Sequence, residues 1–200
     1  MGESFVSRKD RIIASAIEII SESGLSSLSP KTLALKENMS ESQLYRYFGG
    51  IDEVLTEVVE YYAKFDVGIR QTVKARSESV IDRLYGYLDA YTTYYESYFA
   101  ISTLMLQYEE LLHLVVTREK IAEIIVERTR FLEDLFAEGI ENGEIGDLFT
   151  PEELVNSLHG VLASYILSRR ISNRKKSFKQ EFMDYIDKWI LSIKNSKKEN

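Results

Sequence analysis

The sequence predicts an all-helical protein, and three observations carry that expectation. The chain of 200 residues holds only ten Gly and two Pro, too few punctuators for the turns of a many-stranded β protein. Apolar residues recur at the three- and four-residue spacing of a single helix face. The polar breaks between these runs carry helix start and stop signals, Ser-Pro, Thr-Pro and Asn-Gly among them. With 44% apolar and 28% charged residues, the chain has the composition of a protein with a buried core.

The elements follow in order. Ile12, Ile13, Ala16, Ile17 and Ile20 mark the apolar face of a first helix, and Gly24 stands where a left-handed cap ends it. Ser29-Pro30 then pairs a capping hydroxyl with the residue best tolerated at the first helical position, opening a short second helix that runs to about Glu37. Asn38 tolerates positive φ better than most residues and suits a turn. Ser40-Glu41-Ser42-Gln43 has the form of a capping box, starting a third short helix that ends near Phe48. Gly49 and Gly50 break the chain, and Ile51, Val54, Leu55, Val58, Val59 and Tyr62 mark a longer amphipathic helix.

From about residue 77 the pattern predicts helices over Glu78 to Tyr95, Tyr98 to Val116 and Arg118 to Glu141, the last stopped by Asn142-Gly143. Thr150-Pro151-Glu152-Glu153 is a second capping box, opening a helix with Leu154, Leu158, Val161, Leu162, Tyr165 and Ile166. After a basic break at 172–176, Phe178, Phe182, Tyr185, Ile186, Trp189, Ile190 and Ile193 share one broad face of a final helix. The residues from Asn195 onward read as a polar, fraying tail.

Composition removes several classes of function. The absence of Cys excludes disulfide scaffolds, thiolate metal sites and cysteine nucleophiles. No apolar stretch approaches the ~20 residues of a membrane span, and Glu3 and Ser4 stand where a signal peptide is apolar, so a cytoplasmic protein without a membrane partner is expected. The net charge of −7 is uneven: the first fifty residues carry six Lys or Arg and six Asp or Glu, so the whole acidic excess lies beyond them. That contrast suggests a boundary, with one domain over 1–50 and another over 51–200.

Two short helices joined by a tight turn, the second polar on its outer face, form the helix-turn-helix pattern that sets a recognition helix in the DNA major groove. Residues 29–48 fit it. Leu33, Ala34, Met39, Leu44 and Phe48 supply the apolar contacts that lock the pair, leaving Glu41, Ser42, Gln43, Tyr45, Arg46 and Tyr47 outward. Two roles stay open for Gln43, completing its capping box or reading a base. Tyr45, on a short helix between polar neighbours, is expected to expose its hydroxyl to phosphate rather than pack. Arg8, Lys9 and Arg11 read either as an ordinary solvated helix start or as cations at the end of the helix dipole that disfavours them, which DNA would compensate.

At these residues the sequence resembles the TetR family of transcriptional regulators. The resemblance runs through Arg11-Ile12-Ile13-Ala14-Ser15-Ala16, Gly24, Thr32-Leu33-Ala34, Met39-Ser40, Leu44-Tyr45-Arg46-Tyr47-Phe48 and Glu53-Val54-Leu55. It covers residues 8–60 in detail and the remainder in helical layout only. It implies an N-terminal three-helix DNA-binding domain and a C-terminal helical domain that binds an effector and pairs through its last two helices. Carried over by position, Ser42 and Gln43 face base edges, Arg46 lies on the same outward face, and Lys31, Ser40, Tyr45 and Tyr47 contact phosphate. Gly50 and Ile51 depart from the pattern, standing where the family usually has a small polar residue and a Lys beside the DNA backbone. Free amides at a helix start still bind phosphate.

The C-terminal part is rich in tyrosine. Tyr85, Tyr87, Tyr91, Tyr94, Tyr95, Tyr98 and Tyr108 place seven of the thirteen within 24 residues. Rings with polar tips suit a pocket for an aromatic or cationic small molecule, although about half of such residues are expected to serve helix packing alone. By the resemblance this is the effector region, with Tyr91, Tyr95, Tyr98 and Tyr108 as the candidate contacts and His113 beside them. The implied function is a regulator, most simply a repressor released from its operator by a small molecule, working as a homodimer on double-stranded DNA.

An enzyme is not expected, and no cofactor is implied. Glu110-Leu111-Leu112-His113 has the Glu-x-x-His spacing of di-metal bundles, but the second histidine, His159, has Asn156 at the matching position. No phosphate-binding glycine loop or nucleophile elbow occurs. The alternative is a helical ligand-binding or interaction protein whose DNA-reading head has degenerated.

Overall fold

The computed structural model describes residues 7–76, 79–172 and 176–194, and every regular element among them is helical. The chain divides into two compact units. One takes the described residues up to Lys64 together with Ala100–Glu123; the other takes Phe65–Phe99 and the described residues from Ile124 onward.

The first unit opens with α1 (Arg8–Ser23), started by a capping box between Ser7 and Asp10. Ile12, Ala16, Ile17 and Ile20 of α1 are fully buried, each isoleucine contributing about 1.5–3 kcal/mol of burial. Gly24 closes the helix at φ 86° with its N–H on the Ile20 carbonyl, the expected left-handed stop. Then come α2 (Pro30–Lys36), α3 (Glu41–Leu44) and α4 (Ile51–Tyr62). α1 packs against both α2 and α4, and Leu33, Val54, Val58 and Tyr62 complete a core closed to solvent.

The predicted helix over Tyr98 to Val116 is broken into α7 (Phe99–Ser102), a 3-10 segment (Thr103–Gln107) and α8 (Tyr108–His113). Local side-chain bonds explain part of the break. Thr103 Oγ1 donates to the Ala100 carbonyl at 2.7 Å, and Thr117 Oγ1 to the Leu111 carbonyl at 2.7 Å; such bonds compete with the helical ladder.

The second unit contains α5 (Asp66–Lys74), α6 (Val80–Ser97), α10 (Pro151–Ile171) and α11 (Phe178–Lys194), with α9 (Val115–Glu141) contributing from Ile124 onward. α5 is a separate helix that the sequence pattern did not resolve from its neighbours. α6 packs against α5 and α11, and α10 against α11. Gly143 at φ 78° turns the chain after α9. The turn delivers Glu144 to the start of α6, where the Val80 and Ile81 amides each donate to it at 3.2 Å, satisfying two of the free N–H groups of that helix. No helix among the described residues is long and apolar enough to cross a membrane.

Candidate functional site

The best-defined polar surface is built by α2 and α3. The Ser29 hydroxyl caps α2, with Pro30 at its first position. The connection is fixed by Asn38 at φ 51° and by the Met39 N–H on the Ala34 carbonyl at 2.9 Å. Ser40 then starts α3 in a reciprocal box: the Gln43 N–H donates to Ser40 Oγ at 3.2 Å, and the Ser40 N–H donates to Gln43 Oε1 at 2.9 Å. Beyond Leu44 the chain keeps coiling through turns, with the Arg46 amide on the Gln43 carbonyl and the Phe48 amide on the Leu44 carbonyl.

This coil sorts its side chains cleanly. Leu44 and Phe48 are 3% and 2% exposed, while Glu41, Ser42, Gln43, Tyr45, Arg46 and Tyr47 are all exposed. Lys31, on the first turn of α2, is exposed as well, as is Ser40. Arg8, Asn38, Met39, Gln43, Arg46 and Tyr47 surround an open hollow of about 330 Å³. The two roles left open for Gln43 prove compatible: its Oε1 serves the cap, and its Nε2 bonds nothing among the described residues.

The cations of this unit fall into two groups. Arg8 bonds the Glu37 carbonyl at 3.0 Å and its carboxylate at 3.5 Å. Lys9 meets Glu57 at 3.1 Å and Glu53 at 3.5 Å, and lies 4.9 Å over the Phe48 ring; the Glu57 bond holds its pKa above the usual lysine value. Lys36 bridges Glu18 and Glu22 at 3.0 and 3.6 Å. The sequence expectation that Arg8 and Lys9 await an anion is therefore corrected, since carboxylates of the same unit already answer them. Arg11, Lys31 and Arg46 are exposed and make no ion pair among the described residues.

The departure at Gly50 and Ile51 has a visible consequence. Gly50 begins α4 with no side-chain cap, and Asp52 and Glu53 occupy the first turn. Glu53 accepts the Gly49 N–H at 2.6 Å, a bond that lowers its pKa. A carboxylate thus stands at a helix start where an incoming phosphate would otherwise be welcome.

In the second unit the tyrosine-rich helix α6 buries Tyr87, Tyr91 and Tyr95. Tyr87 stacks on Phe131 with ring centres 5.0 Å apart and lies 4.7 Å from Tyr91. Among them runs an ion pair: Arg128 Nε donates to Asp66 Oδ2 at 2.7 Å and Nη2 to Oδ1 at 2.9 Å. Arg128 also reaches the Tyr95 hydroxyl at 3.4 Å and stands 5.0 Å over the Tyr91 ring. Asp66 and Arg128 are only 4% and 7% exposed, and the two-point geometry is what offsets their desolvation. The Tyr91 hydroxyl is buried with no hydrogen-bond partner among the described residues. Burial pushes the Tyr87 and Tyr91 hydroxyls far above the usual tyrosine pKa, so both stay protonated. Burial, and then the Arg128 charge, lower the pKa of His159.

The five residues expected at the effector site divide between the two units, Tyr91, Tyr95 and Tyr98 in one and Tyr108 and His113 in the other. Tyr91 and Tyr95 stand together around Arg128. Tyr98 is half-buried at the end of α6. Tyr108 belongs to the other unit, where its hydroxyl bonds that of Tyr62 and the rings stand 6.1 Å apart, edge to face. His113 is exposed and hydrogen-bonds Glu109 at 3.0 Å. The Glu-x-x-His segment holds no metal-ligating group of three among the described residues. Tyr87, named among the clustered tyrosines but not as a candidate contact, joins them, as do Asp66 and Arg128, which were not anticipated. Arg128 was detectable: with Ile121, Ile124, Leu132 and Leu135 it shares the buried face of α9, a position where a charged residue needs a partner.

No family model matches the chain. Over 181 residues it is 24% identical to the HTH-type transcriptional regulator LuxR of Vibrio harveyi, covering 85% of this chain and 81% of that protein. Among solved structures it is similar to the ketosteroid transcriptional regulator KstR2 of Mycobacterium tuberculosis, at a TM-score of 0.82 and 15% identity over 96% of this chain and 98% of that one. The TetR family transcriptional regulator PfmR of Thermus thermophilus matches at 0.73 and 21%, over 93% and 96%. AibR, solved with isovaleryl coenzyme A and operator DNA, matches at 0.72 and 16%, over 91% and 97%. The chain therefore has the fold of the TetR family of transcriptional regulators.

Proposed function

We propose that this protein is a ligand-responsive, DNA-binding transcriptional regulator, a repressor released from its operator by a small molecule and acting as a homodimer. One observation carries the reading: the polar side of α3 is wholly exposed while Leu44 and Phe48 anchor the opposite side in the core. Ser42, Gln43 and Arg46 gather hydrogen-bond donors on one exposed turn, next to the connection fixed by Asn38. Ser42, Gln43 and Arg46 would face the groove, and Lys31, Ser40, Tyr45 and Tyr47 the phosphates. The operator complex of AibR supports such a use of the shared fold.

A second copy would pair through α10 and α11. Along α10, Gly160, Ser164, Leu167 and Ile171 are exposed at helical spacing, Leu167 and Ile171 by 46% and 77%, and Leu191 of α11 by 61%. Such a contiguous run of apolar and small residues suits an interface. The effector would enter among Tyr87, Tyr91 and Tyr95. An aromatic or other apolar body fits better than a cation there, because Arg128 already holds the Tyr91 face. Three residues separate α4 from Asp66, so a ligand that disturbs the Asp66–Arg128 pair acts on the segment directly following α4.

The internally paired Arg8, Lys9 and Lys36 favour the competing reading, a ligand-binding protein with a degenerate head. Fluorescence anisotropy with duplexes from the protein's own upstream region separates the two. Saturable binding of two protomers per duplex at low salt is expected; its absence, with the dimer intact, would leave only the degenerate-head reading.

A further inference from the structure

Tyr108, expected from the sequence to contact an effector, belongs to the unit that carries the reading helix. Val54, Val58 and Tyr62 follow one another at four-residue spacing along α4 and are closed to solvent, so they form one buried row from near the start of the helix to its last turn. That helix has 12 residues, a rod of about 18 Å. Only Gly49 and Gly50 separate it from Phe48, the inward anchor of the reading turn, so a tilt of α4 reaches that turn directly. At the far end of the row the Tyr62 hydroxyl is hydrogen-bonded to that of Tyr108, and the two rings meet edge to face. Two positions before Tyr62, Glu60 lies 3.6 Å from Lys120.

The segment that presents Tyr108 and Lys120 is itself held. At the corner between α8 and α9, Thr117 Oγ1 donates to the Leu111 carbonyl at 2.7 Å and Arg118 Nε to the Leu112 carbonyl at 3.0 Å, using carbonyls that the end of α8 leaves over. Ile101, Leu104, Leu111 and Thr117 are at most 1% exposed, and the 3-10 segment Thr103–Gln107 packs against α1. α1 therefore seats this segment on one side and the last turn of α4 is tied to it on the other.

Resting on the regulator reading, we propose that Tyr108 is a positioning residue for DNA binding: through the Tyr62 hydroxyl it holds α4 in the seating that presents α3 to the major groove. The hydroxyl pair carries the hold, because Tyr62 is fully buried and a buried hydroxyl that loses a bond does not regain water. Glu60 and Lys120 are 54% and 35% exposed, and a pair so open to solvent contributes little. With the hydroxyl bond gone, α4 samples other seatings, and the apparent affinity falls with the fraction that remains competent. Linkage makes the relation reciprocal: if the bond favours the DNA-binding form, bound DNA favours the bond.

The test uses the full chain and a duplex recovered with it from random DNA. Affinity is measured for the wild type, Tyr62→Phe, Tyr108→Phe, their double variant and Lys120→Ala, at a temperature where circular dichroism shows each fully folded. Either Phe variant keeps its ring and should weaken binding about 3- to 10-fold, with the selected base preference unchanged. The double variant should lose no more than one single variant, because both remove the same bond, and Lys120→Ala should lose about 2-fold or less. A lower thermal midpoint with unchanged affinity of the folded protein would mean a purely structural bond and overturns the proposal, as do additive losses in the double variant or a larger loss for Lys120→Ala than for Tyr108→Phe. Hydrogen exchange on the wild type requires no variant to fold: the duplex should slow exchange across 108–113 as well as 41–47, and protection confined to 41–47 overturns the proposal. A duplex held equally well by wild type and Tyr108→Phe removes this inference alone, whereas recovery of no duplex by the wild type removes the regulator reading with it.

Discussion

Salt dependence offers the sharpest quantitative check on the head, because the structure divides its cations. Arg8, Lys9 and Lys36 are engaged by carboxylates of the same unit, while Arg11, Lys31 and Arg46 are exposed and unpaired among its described residues. With Arg46 in the groove, the unpaired cations left for phosphate are Arg11 and Lys31, so a dimer neutralises about four phosphates and the slope of log K against log salt is about −4. Between 50 and 200 mM salt the affinity should then fall about 10²-fold. Anisotropy titrations across a salt series give the slope directly. Lys31→Ala removes one contact per protomer and should reduce the slope by about 2, whereas Lys9→Ala should leave it unchanged because that ammonium is already paired with Glu57 and Glu53. Equal changes for the two variants would refute the division into engaged and free cations, as would a wild-type slope of about −10.

Four further outcomes are expected. Leu44→Ala should lower stability in urea by about 2–5 kcal/mol, since it empties a core position beneath the exposed face. Asp66→Asn leaves Arg128 buried without its counter-charge and should cost about 3–5 kcal/mol, seen as a large drop in thermal midpoint. His159 has a folded-state pKa below its ordinary 6.5, so its contribution is present above that pH and lost as pH falls toward the folded value; His159→Gln should flatten the decline of stability below pH 6.5. Tyr45→Phe should weaken binding to all duplexes about equally, and a change in sequence preference instead would move Tyr45 from phosphate to base.

Much of the head was legible because its signals are local. The Ser29 and Ser40 caps, Pro30, the positive φ of Asn38, the stop at Gly24 and the second capping box at Thr150 all depend on residues within four positions of one another. The inward placement of Leu44 and Phe48 follows from helical spacing alone. The ion pair of Asp66 and Arg128 was not legible in this way, because 62 residues separate its members. The same holds for Lys9 with Glu57, 48 residues apart, which is why the N-terminal cations read as unpaired. The effector candidates were legible only as tyrosine density: Tyr91 and Tyr95 share the Arg128 neighbourhood, while Tyr62, the partner of Tyr108, lies 46 residues away in the sequence. Tyrosine density located the right helix without saying which rings share a neighbourhood.

The electrostatics around Tyr91 limit what kind of effector the cluster would take under the regulator reading. Asp66 and Arg128 neutralise each other through two bonds, burial keeps the Tyr87 and Tyr91 hydroxyls protonated, and burial with Arg128 favours the neutral form of His159. A cation brought among these rings would lose its hydration and find no free counter-charge, since Asp66 is held by Arg128 and lies 3.8 Å from Arg70. A neutral group meets no such penalty, and the unpartnered Tyr91 hydroxyl gains the hydrogen bond it lacks, a change that favours binding because an unsatisfied buried polar group is costly. An ionic moiety of the effector is thus expected to remain at the solvent edge while an uncharged, flat or acyl portion enters. Asp66→Asn would invert that preference by freeing the Arg128 charge for an anionic ligand, at the stability cost already stated.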